Sequence, residues 1–282
     1  MVILEIMRYL PNPLAGEQQH EFLKKLAKEG SVVNIARKLG ISRASLYRYV
    51  RMRAMTQGFR GNRERRENVV TLGEGLVFDR SGGEISLSKP QLLPEDTVAL
   101  KFAKVLEDSN IDYVLVAGYT AILFGRGRRS DDIDFIIGHI KENDFMRLCE
   151  AAHRAGFLLM QGDILLEESI RKLYQKYLAQ GYSVRFMYKG LILPNVEVKF
   201  ARTNPHSYAL THSITVLINN KYMVRISPLE LQIAYKLYLG SDKDVGDAIF
   251  LYTLFKEAIS HDELDAWCEM LRVDCSILEV DK

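Results

Sequence analysis

The run Asp132-Ile133-Asp134-Phe135-Ile136-Ile137 limits the fold of this chain more than any other stretch. Its branched and aromatic residues suit a strand. Side chains alternate between the two faces of a strand, so Asp132 and Asp134 share one face while Ile133 and Phe135 share the other. A strand of this kind needs a packed layer on one side and an open, polar surface on the other. Upstream, the apolar run Tyr113-Val114-Leu115-Val116-Ala117 ends at Gly118 and passes into Ala121-Ile122-Leu123-Phe124. That pattern predicts a strand, a glycine turn and the start of a helix.

The chemistry follows from the same residues. Two carboxylates this close repel one another unless a cation sits between them, and hard oxygen ligands suit Mg²⁺, which combines one or two carboxylates with substrate phosphates. A helix start offers free backbone N–H groups and a dipole to a phosphate. Later, in Asn195-Val196-Glu197-Val198-Lys199-Phe200, the apolar residues alternate with Glu197 and Lys199 and leave that polar pair on one face.

A strand leading to Gly-x-Thr, a short helix, then Asp-Ile-Asp on the next strand resembles the nucleotidyltransferase superfamily of DNA polymerase beta. The segment Ile226-Ser227-Pro228 through Lys236, followed by Lys243-Asp244-Val245-Gly246-Asp247-Ala248, is similar to the helical tail of the stand-alone branch that includes AbiE-type toxins. The resemblance covers about residues 95 to 260. It implies a mixed α/β sheet followed by C-terminal helices, and transfer of a nucleoside monophosphate from an NTP to a hydroxyl of RNA, protein or a small molecule. It also implies a metal triad of Asp132, Asp134 and Glu197 holding Mg²⁺, Gly118 and Thr120 on phosphate oxygens, and Lys236 neutralising charge there. The family has Gly or Ser directly after its first glycine, whereas here Tyr119 stands there and Thr120 follows. Either the ring points away and Thr120 offers its hydroxyl, or the nucleotide pocket is altered.

Charge divides the chain unevenly. Residues 37 to 66 contain ten Lys or Arg against Glu64 alone, a net +9 within a chain of net +2, so the remainder carries −7. Such local charge calls for a polyanionic partner. Just there, residues 31 to 50 show apolar spacing on both sides of Gly40, with Ser42 as the cap of a second helix. The pattern resembles the helix-turn-helix of resolvase and small-regulator type, which implies DNA binding through Arg43, Ser45, Tyr47 and Arg48. A helical hairpin for protein contact is the alternative.

The expected organisation is a helix-turn-helix domain with a basic extension at 1–68, a connector at 69–94, a nucleotidyltransferase core at 95–225 and a helical subdomain at 226–282. No apolar run is long enough for a membrane span. The run Met1 to Arg8 is too short for a signal peptide, so the cytoplasm is the expected compartment. Cys149, Cys268 and Cys275 lack metal or redox spacing and read as buried thiols. An antitoxin partner is a further implication of the AbiE likeness. The competing expectation is a DNA-binding regulator whose nucleotidyltransferase fold only senses nucleotide or contacts a partner.

Overall fold

The computed structural model describes residues 69 to 279. The expected DNA-contacting residues Arg43, Ser45, Tyr47 and Arg48 lie outside the described residues. Among those described, ten strands form one mixed sheet with helices on it, and no helix is long and apolar enough to cross a membrane.

In chain order the elements are β1 (Val69–Gly73), β2 (Leu76–Asp79), β3 (Glu84–Leu87), α1 (Pro94–Asp108), β4 (Tyr113–Val116), α2 (Gly118–Leu123) and β5 (Asp132–Ile137). There follow α3 (Glu142–Arg154), β6 (Phe157–Leu159), α4 (Glu167–Lys176), β7 (Val184–Tyr188), β8 (Leu191–Phe200), α5 (Asn204–Thr211), β9 (Ile214–Ile218) and β10 (Tyr222–Ile226). The chain closes with α6 (Leu229–Leu239), α7 (Asp242–Phe255) and α8 (His261–Leu271). Across the sheet the order is β1-β2-β3-β9-β10-β4-β5-β8-β7-β6.

The short β-rich runs of residues 69 to 89, expected as a hairpin-like connector, are strands of the main sheet. β1, β2 and β3 form an antiparallel meander, and β3 joins β9 in parallel. Glycine turns between short β-rich runs were visible in the sequence, but the strand that β3 pairs with lies about 130 residues later, a distance local patterning does not span.

At the centre, β4 runs antiparallel to β5, and β5 runs parallel to β8. The core side of β5 is sealed by α1. Phe102 of that helix lies 5.3 Å from the Phe135 ring, 5.0 Å from Phe157 and 5.1 Å from Phe186. Burying such aromatic area stabilises the packing by roughly 2–3 kcal/mol per fully buried ring. Because Phe135 faces α1, strand alternation turns Asp134 to the opposite side. α1 begins at Pro94, whose missing N–H costs nothing in the first turn. The Asp96 carboxylate accepts the Leu93 N–H at 2.8 Å and so ties down that helix start.

The cysteine expectation needs correction. Cys149 is a buried free thiol, but Cys268 and Cys275 form a disulfide with Cα atoms 6.2 Å apart. Arg272 adopts a left-handed conformation at the end of α8 and reverses the chain, which brings Cys275 back to Cys268. Seven residues of separation carry no such signal by themselves.

Candidate active site

Strand register assembles the acids. In the parallel β5–β8 pair, Asp132 lies opposite Asn195 and Asp134 opposite Glu197. In the antiparallel β7–β8 pair, Arg185 lies opposite Glu197. Asp134, Glu197 and Arg185 therefore form one row across three strands, on the face turned away from Phe102. Neighbouring strands lie about 4.8 Å apart, so these side chains meet directly.

The charges along that row differ in how they are compensated. Both oxygens of Glu197 are engaged: Arg185 Nε donates to Oε1 at 2.5 Å, and Ser183 Oγ donates to Oε2 at 3.0 Å. Asp134 has only Lys199 Nζ at 3.6 Å. Burial, reinforced by the charges of Asp132 and Glu197 and opposed by Lys199, pushes the Asp134 carboxyl up to about 6. Asp132 has a weak contact with Ser130 Oγ at 3.4 Å. Two carboxylates on one strand face, one of them held in excess negative charge, suit a small hard cation. Among the described residues no group of three or more His, Cys, Asp or Glu is arranged to hold a metal ion.

Beside the acids lies the glycine turn. Ala117 sits at φ 61° and ψ −140°, a conformation that costs an L-residue of order 1–3 kcal/mol and that collects at functional sites. It is held there by Gln232 of α6, whose side-chain amide Nε2 donates to the Ala117 carbonyl at 2.9 Å. Helix α2, which follows, is only six residues long. Its dipole is accordingly slight, and the positive charge at this turn comes from elsewhere.

That source is Arg128. A Cβ on Gly118 would fall 2.6 Å from the Arg128 guanidinium and 3.1 Å from Ser130 Oγ, so a larger residue would displace the arginine from its place over the turn. Arg128 is aimed by Asp247 of α7, which it grips through both oxygens at 2.8 and 2.5 Å. Such fork-to-carboxylate pairing fixes direction as well as distance. Asp247 is fully buried and also meets Lys236 Nζ at 3.0 Å. Lys236 Nζ donates in turn to Asp244 at 2.6 Å, and Asp244 accepts from Ser241 Oγ at 2.5 Å. Burial raises the Asp247 carboxyl, but its bonds from Arg128 and Lys236 outweigh burial and leave it below the usual carboxylate range.

The remaining expected site residues are placed as follows. Tyr119 is wholly buried, and its hydroxyl donates to Asp96 at 2.9 Å, so the ring points into the core and away from the turn. Thr120 is also wholly buried, and its Oγ1 has no hydrogen-bond partner, because this turn of α2 faces the core. Its hydroxyl is thus not presented to a phosphate. Lys236 is 2 % exposed and spent between Asp244 and Asp247, so it does not reach the acid face as a free cation. Helical spacing put Lys236 on α6 correctly but could not show that two aspartates of α7 enclose it. By sequence alone the loop arginines Arg126, Arg128 and Arg129 read either as cations that steer phosphates or as solvated side chains, and Gln232 and Arg185 carry no signal. The Lys-Asp-x-x-Asp-Ala segment was the available signal for Arg128, since both of its aspartates belong to the network that aims it.

An open groove of about 590 Å³ runs past this site, lined in part by Arg128, Arg129, Ser130, Asp131, Leu193 and Pro194. It reaches the Arg128 side of the glycine turn and the start of α1, and neither Asp132 nor Asp134 is among its lining residues.

No protein-family profile matches the sequence, and no curated protein matches it. Among solved structures, the chain is similar to an antigenic nucleotidyltransferase-like protein from Paracoccidioides brasiliensis, with 19 % identity, a TM-score of 0.41, and coverage of 65 % of this chain and 91 % of that one. It is similar to the antibiotic-resistance factor ANT(2'')-Ia at 12 % identity and a TM-score of 0.37, over 64 % of this chain and 93 % of that one. A tRNA nucleotidyltransferase, complexed with a primer tRNA and an incoming ATP analogue, aligns at 13 % identity and a TM-score of 0.25, over 63 % and 58 % of the two chains.

Proposed function

We propose that this chain is a Mg²⁺-dependent nucleotidyltransferase that moves a nucleoside monophosphate from an NTP to a hydroxyl acceptor. The observation that carries the reading is the meeting of the Asp132/Asp134 face with a glycine turn capped by an anchored arginine. Asp132 and Asp134 would hold the cation, and when bound it supplies charge neutralisation of the triphosphate and a lower pKa for the attacking hydroxyl. Arg128, lying over Gly118, contacts the phosphates and stabilises negative charge that grows on the leaving pyrophosphate. Lys236, Asp244 and Asp247 act through Arg128 as positioning residues. The groove beside Leu193 and Arg129 admits the acceptor.

Residues 1 to 68 carry DNA binding in this proposal, supported by the net +9 of residues 37 to 66 and by the spacing around Gly40. Arg43, Ser45, Tyr47 and Arg48 would face the DNA, with an AbiE-like toxin role as the broader setting. If Arg48 reads a base edge, Arg48→Ala weakens binding by roughly 1–3 kcal/mol at its preferred sequence; if it touches phosphate, all sequences weaken alike.

The direct test is to incubate the chain with each α-labelled NTP, Mg²⁺ and total RNA or protein. Mg²⁺-dependent label transfer that Arg128→Ala depresses is the expected result. NTP binding without transfer to any acceptor would instead establish the nucleotide-sensing regulator.

A further inference from the structure

Glu197, the third acid of this face, is already charge-paired within the fold. Glu197 and Arg185 are register partners in adjacent antiparallel strands, so the backbone itself sets the two side chains against each other. Arg185 contacts Oε1 through Nε and also through its terminal nitrogen, while Ser183 occupies Oε2. A carboxylate with both oxygens hydrogen-bonded, one of them to a guanidinium, has little left to offer a second cation. The Glu197 side chain is 9 % exposed, so releasing it from Arg185 would leave a largely desolvated charge.

Charge balance points the same way. Three carboxylates gathered on one face ordinarily call for about two divalent ions, as two-metal sites show. Here Lys199, two residues beyond Glu197 on the same face of β8, and Arg185 bring two fixed positive charges, the charge of one such ion. Asp132 and Asp134 remain as the pair without a guanidinium partner.

We infer that this site takes a single divalent cation, between Asp132 and Asp134, and that Arg185 and Lys199 supply the charge of a second one, with Glu197 serving to hold Arg185 rather than to ligate metal. The inference rests on the nucleotidyltransferase reading and deepens it. Arg185 and Lys199 thereby become positioning and charge-compensating residues of the acid face, a role that neither sequence motif suggests.

The test counts ions without relying on turnover. The full chain is mixed with Mn²⁺ and a non-hydrolysable nucleoside triphosphate, then followed by equilibrium dialysis and electron paramagnetic resonance. One Mn²⁺ per chain with an uncoupled spectrum is expected, because two ions in a shared site, about 3.5–4 Å apart, would couple. Glu197→Gln should keep that ion with affinity changed less than about threefold, whereas Asp134→Asn should weaken it about tenfold or more. Arg185→Ala, at a half-exposed position tolerant of change, should free Glu197 and raise the count towards two. Two coupled ions in the wild-type chain, or a Glu197→Gln loss as large as that of Asp134→Asn, overturn the single-cation inference while leaving nucleotidyl transfer standing. An absence of bound Mn²⁺ overturns both.

Discussion

Two regions of this molecule use the same residue types to opposite ends. Around Asp247, two aspartates are met by Lys236, Arg128 and Ser241 at 2.5–3.0 Å, and the group is buried between α6, α7 and the loop after α2. On the β5 face, Asp132 and Asp134 have a single loose cation, Lys199 at 3.6 Å, and burial raises the Asp134 carboxyl instead of being outweighed. The first arrangement is complete and holds geometry. The second is short of positive charge, and that deficit is what a metal ion can fill. The two places differ in how completely their charges are compensated, and the proposed function rests on the incomplete one.

The comparison can be broken most severely at Asp247. Replacing it with Ala takes the carboxylate from Arg128 and leaves Lys236 with Asp244 alone, and breaking one side of a buried pair costs about 3–5 kcal/mol. Chemical denaturation should show that loss, together with weaker NTP binding as Arg128 loses its anchor. A midpoint shift below about 1 kcal/mol would mean that the network is hydrated and does not hold the turn.

Asp134→Asn should behave in the reverse manner. Label transfer is expected to fall about a hundredfold or more, roughly 3 kcal/mol in the barrier, while the melting temperature of the metal-free chain holds or rises. The amide removes a desolvated charge from a crowd of carboxylates, which relieves the folded state. Unfolding of this variant under conditions where the wild-type chain is stable would erase the contrast between the two regions.

Acid titration separates them further. Asp244 and Asp247 ionise more readily in the folded chain than their ordinary value of 3.8, so the folded state binds fewer protons than the unfolded one. Their contribution is present above that value and disappears as the pH falls through the lower folded-state values. Thermal melts should therefore lose stability increasingly below about pH 4, and Asp247→Asn should flatten that limb. An unchanged limb in the variant would assign acid sensitivity to other carboxylates.

The smallest expected effect sharpens the role of the residue after Gly118. Tyr119→Phe removes one buried hydroxyl donor from Asp96, which keeps Lys89 at 2.7 Å and the Leu93 N–H, so the cost should be about 1 kcal/mol. Nucleotide binding should be unaffected, because the ring faces α1 and not the turn. A loss of NTP affinity larger than the loss of stability would place Tyr119 in the pocket after all.

By itself the sequence determined the local pieces and the sharing of faces. The period-two pattern of 132 to 137 predicted that Asp132 and Asp134 point one way, and the alternation of 195 to 200 predicted that Glu197 and Lys199 share a face. The longer helices are legible from their apolar spacing and length, whereas Asn204–Thr211 is only eight residues long and opens on Asn-Pro, a pair that reads as a turn. Only the tertiary structure decided which charges meet. Pairing Glu197 with Arg185 depends on the register of a hairpin, aiming Arg128 depends on Asp247 119 residues away, and enclosing Lys236 depends on how α7 crosses α6. Local periodicity reports which way a side chain leaves the backbone; compensation is a property of neighbours brought together by packing, and so it appears only once the chain has folded.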